Sequence, residues 1–418
     1  MKRQFSLGNR NYLPALKIPH IFLHSILDFT NPEADYSTFH DACLPAHYGH
    51  GKDLVYDETY RLAREIHPKA FGLNFDPIKP SNEILSGIAR LIDIPITAEL
   101  YKINSYGPRG MFRAHQDTPR GENHLGTLVV ALPSRFEGGE FILRKSGEKM
   151  TFDWSSSGRK DHPHDLHWVF FYADIEHEIL PVKTGYRLTI SYHIFGSRTT
   201  DSDPDTKYTF RAEGLPKGNL NLQFKLTPLF SSLISAYKDP KFLSDGGRLA
   251  FGLDHEYGVE GKDDVIFPDD YYKGKDAVLV QTLKAMGLSY QFRAVYQEDG
   301  DGEFSPPDNF ATTSYNRVLL VWDDFAGYVH CFHSFCNETN EGRRYWIDGD
   351  KPTVAEFISR GAKIDHALVW VNRPAKYREA CTYARYGNEP HLEILYVAAA
   401  VIVEIPAFGT TRRNGVFP

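Results

Sequence analysis

The chain has 418 residues, of which 42% are hydrophobic and 14% aromatic, and this composition indicates a folded globular protein and excludes a disordered one. Its formal net charge of −7 provides no general attraction to nucleic acid or to anionic lipid, so we expect neither as a partner. The length allows about two or three domains, or one large domain with a generous core.

Cysteine content and apolar runs bear on the compartment. A chain of this length with only four cysteines does not carry a disulfide framework, which favours a reducing compartment. The first residues, MKRQFSLGNRNYLPALK, lack the apolar core of a signal peptide, and the longest apolar run, ILYVAAAVIVEIP, is too short to span a bilayer. We therefore expect a soluble cytoplasmic protein without a membrane partner, and its oligomeric state stays open.

Residues 1–97 mix turns with helices, which we expect to buttress the outside of a barrel. The segment DETYRLAREIH has an acidic start and apolar residues at helical spacing, and it predicts a helix. The segment PSNEILSGIARLIDI predicts a second helix, with Ser81 as N-cap and Glu83 close behind. The predicted buried face of this helix consists of Ile84, Leu85, Ile88, Leu91 and Ile92.

The rest of the chain divides into three parts. Residues 98–198 are rich in β-branched and aromatic residues with frequent turns, which predicts a β-barrel. Residues 199–214 are polar and turn-rich and predict a linker or surface loop. Residues 215–418 combine a predicted helix (LTPLFSSLISAYKD), short strands (RAVYQ, RVLLVWDDF, HALVWVN) and a last helix-like segment. We expect this α+β region to be catalytically silent.

Four residues of the predicted barrel carry the candidate chemistry. His115 and Asp117 form an HxD motif in FRAHQDTPR, and residues i and i+2 of a strand face the same side. His177 lies in the strand-like run WVFFYADIEHEILPV. Two imidazoles and one carboxylate make the facial triad that holds non-haem Fe(II) and leaves coordination positions open. Arg187, in YRLTISYHIF, suits the far carboxylate of a 2-oxo acid because its planar guanidinium forms two parallel hydrogen bonds.

The turn signal PVKTG separates His177 from Arg187 and ends in Gly185, so we predict that the two flanking strands form a hairpin. Such a hairpin would bring Arg187 near the metal, with Thr189 on the same face. An HxD pair alone is common, but its combination with a distant strand histidine and a following arginine is much more specific. The alternative is that these are unrelated polar residues on β-strands.

The segment NSYGPRGMFRAHQDTPR resembles the metal-binding strand of prolyl 4-hydroxylase-type oxygenases, in which a tyrosine, a glycine and an aromatic residue precede the histidine. Here these are Tyr106, Gly107 and Phe112. The runs GTLVVALPSRFEGGEFILR and VFFYADIEHEILPVKTGYRLTISYHIF continue the resemblance over residues 98–196. It implies a catalytic core that is a double-stranded β-helix (jelly roll), within an α+β chain that has flanking helices and a second α+β region. It also implies Fe(II) as the metal, 2-oxoglutarate as co-substrate, and O₂.

Weaker similarity to a subgroup of larger, two-part members, best known from fungi, occurs in CLPAHYGHGKDLVYDETYRLAREI, GGRLAFGLDHEYG, YKGKDAV and YGNEPHLEILYVAAAVIVEIP. The family's inner aromatic residue is often tyrosine, and this chain has Phe112 there. A hydroxyl group that touches the co-substrate would then come from Tyr106 or Tyr101. Lys102 and Asn104 alternate on the same strand and are candidates to face the co-substrate or the substrate.

Other polar clusters have simpler explanations. The histidines of DHPHDLH (His162, His164 and His167) lie in a predicted loop, where surface histidines are favoured over metal ligands. HCFHSFC is a single segment, whereas a structural zinc site needs two separated ligand pairs, so we expect buried free cysteines there. Glu140 is expected to be a structural residue at a turn, and Asn388 and Glu389 are expected to cap a helix. We expect neither zinc nor a second iron centre in residues 215–418.

The expected activity is oxidation of an unactivated C–H bond, by hydroxylation or by desaturation or ring closure. We favour a small-molecule substrate, such as an amino acid or a biosynthetic intermediate, because the chain has no basic or proline-recognising stripe and its extra segments are large enough to roof the barrel. One alternative is a protein (prolyl) hydroxylase. Another alternative is a non-catalytic binding module with a vestigial barrel. The intact triad and arginine argue against this alternative.

Overall fold

The structure is a computed structural model. It describes residues 34–50, 53–73, 84–92, 94–145, 147–158, 166–196, 228–260, 267–297 and 394–414, and short segments at 3–5, 15–19, 24–29, 78, 209–212, 319–321, 336–338, 344–346, 359, 367–372 and 374. The chain divides into two compact units. The first comprises Met1–Pro119, Asn123–Pro216 and Ala384–His391, and the second comprises Arg120–Glu122, Lys217–Tyr383 and Leu392–Pro418.

The first unit consists mainly of strands. These are β1 (Arg3–Phe5), β2 (Ala15–Pro19), β3 (His24–Asp28), β4 (Leu44–Pro45), β5 (Tyr48–His50), β6 (Asp53–Val55), β7 (Arg61–Leu62), β8 (Arg64–Ile66), β9 (Gly72–Leu73), β10 (Ile96–Tyr106), β11 (Met111–His115), β12 (His124–Ala131), β13 (Phe136–Gly138), β14 (Phe141–Lys145), β15 (Glu148–Phe152), β16 (Leu166–Tyr172), β17 (Glu176–Ile179), β18 (Val182–Gly185), β19 (Arg187–Gly196) and β20 (Thr209–Ala212). Its helices are α1 (Tyr36–Ala42), α2 (Ile84–Ile92) and a 3-10 turn at Pro68–Ala70.

Two antiparallel sheets form the body of this unit. The larger sheet has the order β1-β16-β12-β19-β10-β8-β4, with β20 also paired to β10, and the smaller sheet has the order β15-β14-β17-β11-β7. The chain enters and leaves each sheet several times between β10 and β19, so neighbouring strands in a sheet are distant in sequence. This arrangement is a double-stranded β-helix, and the fold expected from the sequence is confirmed.

Side-chain alternation along β12 shows how the two layers of the core form. Leu128 and Val130 pack into one apolar cluster with Ile84 and Ile88 of α2, on the helix-covered face of the larger sheet. Val129 lies in a different cluster, which also includes residues of the smaller sheet. Because successive side chains of a strand point to opposite faces, a strand covered on both sides is apolar at every position. The packing of α2 on this face of the larger sheet is consistent with the predicted role of the helices as a buttress.

One predicted helix is wrong. DETYRLAREIH forms a turn followed by β7 and β8 instead, with Arg61 and Ala63 buried and Leu62 between them more exposed. Pairing of β7 with β11 and of β8 with β10 overrides the helical spacing of the apolar residues. The second predicted helix is confirmed as α2, but Leu91 of the predicted buried face is 50% exposed because burial decreases in the last turn. Ser81 and Glu83 lie outside the described residues.

The predicted hairpin between the strands of His177 and Arg187 is also wrong. His177 belongs to β17, which pairs with β11 and β14, whereas Arg187 begins β19, which pairs with β10 and β12. The intervening strand β18 pairs with β13, so the chain crosses from the smaller sheet to the larger one between the two residues. The turn residues therefore mark a crossover between sheets.

Smaller segments of the first unit also differ from expectation. His167 of DHPHDLH is buried in β16 and is not in a loop, because it continues the ladder opposite Ala131 of β12. His162 and His164 lie outside the described residues. Within residues 199–214, the described part is β20, which pairs with β10.

The second unit is α+β. Its strands are β21 (Gly247–Gly252), β22 (Tyr257–Glu260), β23 (Tyr290–Gln297), β24 (Leu319–Val321), β25 (Cys336–Glu338), β26 (Arg344–Trp346), β27 (Leu368–Asn372), β28 (Ile394–Val397) and β29 (Ala399–Ile405), and its helices are α3 (Pro228–Lys238), α4 (Gly274–Ala285), α5 (Thr411–Asn414) and a 3-10 turn at Asp269–Tyr271. Its main sheet has the order β24-β23-β29-β21-β27, in which β21 and β27 are parallel.

Several predicted elements fall in this unit. The helix in LTPLFSSLISAYKD and the three short strands are confirmed, but ILYVAAAVIVEIP is β28 and β29, not a helix, since its β-branched residues complete the sheet. Residues 330–335 of HCFHSFC, and Asn388 and Glu389, lie outside the described residues. No helix among the described residues has the length and apolar character needed to cross a membrane.

Two segments of the second unit, GLDHEYG and YKGKDAV, are joined by one buried carboxylate. Asp276, in the first turn of α4, accepts hydrogen bonds from the backbone N–H groups of Asp254 (2.8 Å) and His255 (3.0 Å). It also accepts one from the Tyr257 hydroxyl at 2.8 Å. Burial raises the pKa of Asp276, and the three donors, with the charge of His255, oppose that rise. GLDHEYG and YKGKDAV therefore pack together as a structural unit.

Candidate functional site

The predicted metal ligands lie together in the first unit. The ligand atoms of His115, Asp117 and His177 lie within 4.8 Å of one another, and all three residues are buried. His115 at the end of β11 is directly opposite His177 in β17, and their ring centroids are 4.1 Å apart. Asp117 follows β11, and its Oδ1 is 3.7 Å from Nε2 of His177. Strand pairing thus places the two imidazoles side by side, and the HxD spacing adds the carboxylate.

The backbone orients both imidazoles in the same way. Nδ1 of His115 donates a hydrogen bond to the carbonyl of Arg113 at 2.8 Å, and Nδ1 of His177 donates to the carbonyl of Ile175 at 3.0 Å. A carbonyl oxygen only accepts, so each Nδ1 carries the proton and each Nε2 presents a lone pair. Burial, and then the neighbouring charge of His177, lower the pKa of His115 well below its usual range, which keeps this imidazole neutral.

The carboxylate is oriented by a side chain. The hydroxyl of Thr127, on β12, donates a hydrogen bond to Oδ2 of Asp117 at 2.5 Å, while the other oxygen, Oδ1, faces His177. Two imidazoles and one carboxylate, each fixed by a hydrogen-bonding partner, are the donor set of a non-haem Fe(II) centre. The residues present therefore fit this metal.

A cavity of about 60 Å³ adjoins the three ligands. All six of the other residues predicted for the site line it: Tyr101, Lys102, Asn104, Tyr106, Arg187 and Thr189. The register between β10 and β19 explains this, since Asn104 is opposite Thr189 and Tyr106 is opposite Arg187. An irregularity in that register between Leu100 and Lys102 allows two consecutive residues, Tyr101 and Lys102, to reach the cavity.

Arg187 lies between two aromatic side chains. It is 1% exposed, and its guanidinium carbon is 5.6 Å from the centre of the Tyr106 ring and 5.5 Å from that of Trp154. Burial raises the pKa of the Tyr106 phenol, while the charges of Arg61 and Arg187 and a hydrogen bond from Arg61 oppose that rise. The phenol is therefore a neutral donor beside a permanent cation, which suits recognition of a carboxylate.

Gly139 permits this position of Arg187. Its φ is +67°, and a Cβ added to it would lie 2.9 Å from Cγ2 of Val182 and 3.1 Å from Cδ of Arg187. Any side chain here would strain the backbone and displace the arginine stem. The sequence contains the signal, a GG pair before the strand FILRK, but not the contact.

Sequence reasoning missed Arg61, which also lines the cavity. Arg61 is 2% exposed, and its guanidinium carbon is 4.5 Å from the centre of the Phe112 ring. Phe112 in turn stacks on His115, with ring centroids 3.6 Å apart and an interplanar angle of 23°. Arg61 was overlooked because its segment was assigned to a surface helix, where arginine is usually exposed.

Arg61 belongs to a buried charged group. Glu65 accepts a hydrogen bond from Nζ of Lys102 at 2.7 Å and lies 3.5 Å from Nη2 of Arg61. Burial would raise the pKa of Glu65, but a hydrogen bond from His67 and the charges of Lys102 and Arg61 outweigh it and lower the pKa to about 2. Glu65 is therefore ionised throughout the physiological range.

The fold is a jelly roll, and the three buried side chains make the donor set of a non-haem Fe(II) centre. Residues 101–195 match the family described as the 2OG-Fe(II) oxygenase superfamily. Members of that family use Fe(II), 2-oxoglutarate and O₂, and the cluster of His115, Asp117 and His177 fits this metal. No curated protein is significantly similar to the chain.

Solved structures with local similarity include an oxidoreductase of the 2OG-Fe(II) oxygenase family from Burkholderia pseudomallei, at 18% identity over 23% of this chain and 45% of that one, with a TM-score of 0.20. A prolyl-4-hydroxylase from Pseudomonas putida is 15% identical over 34% of this chain and 76% of that one (TM-score 0.24). A Trichoplax adhaerens prolyl hydroxylase, solved with a hypoxia inducible factor oxygen degradation domain peptide fragment, is 13% identical over 38% of this chain and 74% of that one (TM-score 0.23). This chain thus spans less than half of the first of these structures, and the assignment rests on the family match and on the geometry of the site.

Proposed function

We propose that the whole chain is an Fe(II)- and 2-oxoglutarate-dependent dioxygenase that oxidises an unactivated C–H bond of a small molecule, such as an amino acid or a biosynthetic intermediate. The observation that carries the proposal is the buried His115, Asp117 and His177 cluster with Arg187 lining the same cavity. A triad that had lost its function would not need the orienting hydrogen bonds to both imidazoles and to the carboxylate, so these bonds argue against a vestigial barrel.

Each residue has a proposed role. His115, Asp117 and His177 hold the metal, and Arg187, assisted by Thr189 and Tyr106, binds the far carboxylate of 2-oxoglutarate. Bound together, Fe(II), 2-oxoglutarate and O₂ supply the oxidation of a C–H bond, coupled to conversion of the 2-oxo acid to succinate and CO₂. The protein contributes orientation and a cavity whose apolar members, such as Val129, Phe141 and Phe171, exclude water.

Two features support a small molecule over a protein substrate. The cavity beside the three ligands is lined mainly by buried side chains, as small-molecule sites usually are. An extended peptide needs a long groove beside the reacting centre, and the residues around the described cavity form a compact pocket. The outcome of the reaction, whether hydroxylation, desaturation or ring closure, depends on where the substrate carbon lies relative to the metal.

Three further proposals accompany this one. The chain is a larger, two-part member of the prolyl 4-hydroxylase-like group, supported by the resemblance of GLDHEYG and YKGKDAV to the fungal subgroup. Its region 215–418 is catalytically silent, next to a buttress at 1–97, a core at 98–198 and a linker or surface loop at 199–214. The small number of cysteines supports a cytoplasmic location.

The test is 2-oxoglutarate turnover by the full chain loaded with Fe(II), measured as succinate, against panels of small molecules and of peptides. We expect a small molecule to stimulate succinate formation in step with its own oxidation, and we expect the His177→Ala variant to show neither. Stimulation by peptides alone would replace the proposal by a protein hydroxylase. A wild-type chain that binds Fe(II) but never consumes 2-oxoglutarate would overturn it.

A further inference from the structure

Beside Arg187, the cavity has a second buried guanidinium. Arg61 and Arg187 both line it, and they come from different sheets, Arg61 from β7 in the smaller sheet and Arg187 from β19 in the larger. One arginine is sufficient for the far carboxylate of 2-oxoglutarate. The second one shares its carboxylate partner, because Arg61 and Lys102 both pair with Glu65, and two buried cations beside one carboxylate favour a further anion.

The contacts of Arg61 within the protein use only part of its hydrogen-bonding capacity. Nη1 donates to the carbonyl of His47, and Nη2 donates to Oδ1 of Asn104 at 2.9 Å and lies near Glu65. The guanidinium also donates a hydrogen bond to the Tyr106 hydroxyl. Nε of Arg61 is buried and has no hydrogen-bond acceptor among the described residues. A guanidinium has five N–H donors, and a buried donor without an acceptor in a cavity points to a ligand that supplies one.

Arg61 is close to the metal ligands. Its guanidinium carbon is 4.5 Å from the centre of the Phe112 ring, and that ring stacks on His115. Only one aromatic ring thus separates Arg61 from an imidazole of the metal centre. A ligand group held by Arg61 would lie beside the place where oxidation occurs.

Lys102 adds positive charge to the same part of the cavity. Lys102 is 3% exposed. Its ammonium group donates a hydrogen bond to Glu65 at 2.7 Å and lies 4.3 Å from the centre of the Tyr101 ring. Both Lys102 and Tyr101 line the cavity. The ion pair with Glu65 fixes the position of the lysine.

We propose that Arg61, with Lys102 beside it, binds a carboxylate of the substrate that is oxidised, so that the substrate is a small carboxylic acid. This inference rests on the proposed function and narrows its substrate class. The same chemistry could also recognise a carboxylate of 2-oxoglutarate, and the experiment therefore measures the two ligands separately.

The first experiment needs no variant. The full chain, loaded anaerobically with Fe(II) and 2-oxoglutarate, is titrated by calorimetry with acids and their amides: hexanoate and hexanamide, phenylacetate and phenylacetamide, L-leucine and L-leucinamide, and L-phenylalanine and L-phenylalaninamide. We expect at least one acid to bind about tenfold or more tightly than its amide, since hydrogen bonds to a charged group are the strong ones. If no acid binds more tightly than its amide, while 2-oxoglutarate is still consumed, the inference is overturned and the proposed function stands.

The second experiment assigns the effect to Arg61. Arg61→Gln should reduce the affinity for the preferred acid about tenfold or more and abolish its advantage over the amide. The affinity for 2-oxoglutarate should decrease much less, because Arg61 reaches the co-substrate only through its hydrogen bond to Tyr106. Arg64→Gln is the matched control, because Arg64 donates to backbone carbonyls of Asp41 and Cys43 and is not among the residues that line the cavity. A loss of 2-oxoglutarate affinity in Arg61→Gln as large as the loss for the acid would show that Arg61 binds the co-substrate instead. If that variant does not fold, Lys102→Met must reduce the preference for the acid over the amide, and an unchanged preference would contradict the proposal.

Discussion

The hydroxyl of Thr127 holds one oxygen of Asp117 at 2.5 Å and leaves the other oxygen facing His177. Thr127 comes from β12 of the larger sheet, whereas the imidazoles come from β11 and β17 of the smaller sheet. This hydrogen bond therefore ties the metal-binding carboxylate to the opposite wall of the jelly roll. Loss of a residue that orients a metal ligand in this way typically costs about 10- to 100-fold in metal affinity.

We predict that Thr127→Val lowers the Fe(II) affinity about 10- to 100-fold. Valine has the shape of threonine but cannot donate, so the carboxylate loses its orientation. Thr127→Ser keeps the donor and should retain most of the affinity. Anaerobic Fe(II) titration of the three proteins measures this. Equal affinity in the wild type and in Thr127→Val would show that the hydrogen bond does not orient the ligand.

We predict one metal ion per chain, held by the predicted triad. His115→Ala, His177→Ala and Asp117→Ala should each abolish turnover and strongly weaken Fe(II) binding, because each removes one of three ligands. Asp245→Ala removes an exposed carboxylate and serves as the control. Metal analysis of the iron-loaded protein measures the stoichiometry. Two metal ions per chain, with the second lost on changing Cys331 and Cys336, would mean that HCFHSFC is a metal site.

We predict that Arg187→Lys raises the apparent KM for 2-oxoglutarate and leaves Fe(II) affinity nearly unchanged. Lysine keeps the charge but loses the planar pair of donors that matches a carboxylate. The ammonium group is also less suited than a guanidinium to the space between the Tyr106 and Trp154 rings. Succinate formation at varied 2-oxoglutarate concentrations gives the KM. An unaltered dependence on 2-oxoglutarate would mean that another residue anchors the co-substrate.

We predict that Gly139→Ala weakens 2-oxoglutarate binding through Arg187. The new Cβ would lie 3.1 Å from Cδ of Arg187, and the φ of +67° strains any residue other than glycine. Gly147→Ala is a matched control, because Gly147 has a similar φ of +83° but nothing within 4 Å of its Cβ position. Both variants should lose about 1 kcal/mol of stability from backbone strain. Only Gly139→Ala should raise the KM for 2-oxoglutarate, and equal KM values in the two variants would contradict the contact.

We predict that Glu65 stabilises the fold at neutral pH and that this contribution is lost on acidification. Its folded-state pKa of about 2 is below the ordinary value of 4.5, so the unfolded chain binds the proton first as the pH falls. The stabilisation is therefore complete above about pH 5 and decreases progressively toward pH 2. From the size of the shift, it amounts to about 3 kcal/mol.

Denaturant unfolding of wild type and Glu65→Gln between pH 3 and pH 8 tests this contribution. The variant should be less stable at pH 7, and the difference between the two proteins should shrink as the pH falls. Glu148→Gln changes an exposed residue and should match the wild type throughout. A stability difference that does not depend on pH would show that the charge of Glu65 is not the source of the effect.

The metal ligands could be predicted from sequence because their geometry is largely local. The spacing of His115 and Asp117 determines that both face one side of a strand, and the β-branched and aromatic pattern indicates the strands. His177 could also be predicted to lie in a strand, because the run around it is rich in β-branched and aromatic residues. The structure brings these three residues within 4.8 Å, as the pattern predicted.

The sequence by itself thus determined the strand-rich core and the face that each strand residue presents, because side-chain alternation is a property of the extended backbone. It did not determine which strands pair, and the hairpin predicted between His177 and Arg187 is in fact a crossover between sheets. Only the tertiary structure placed Arg61 over Phe112, Thr127 on Asp117 and Gly139 against Arg187. These contacts depend on pairings between segments far apart in the chain, and such pairings are set by packing of the whole core, since local propensity in a strand is weaker than its tertiary context.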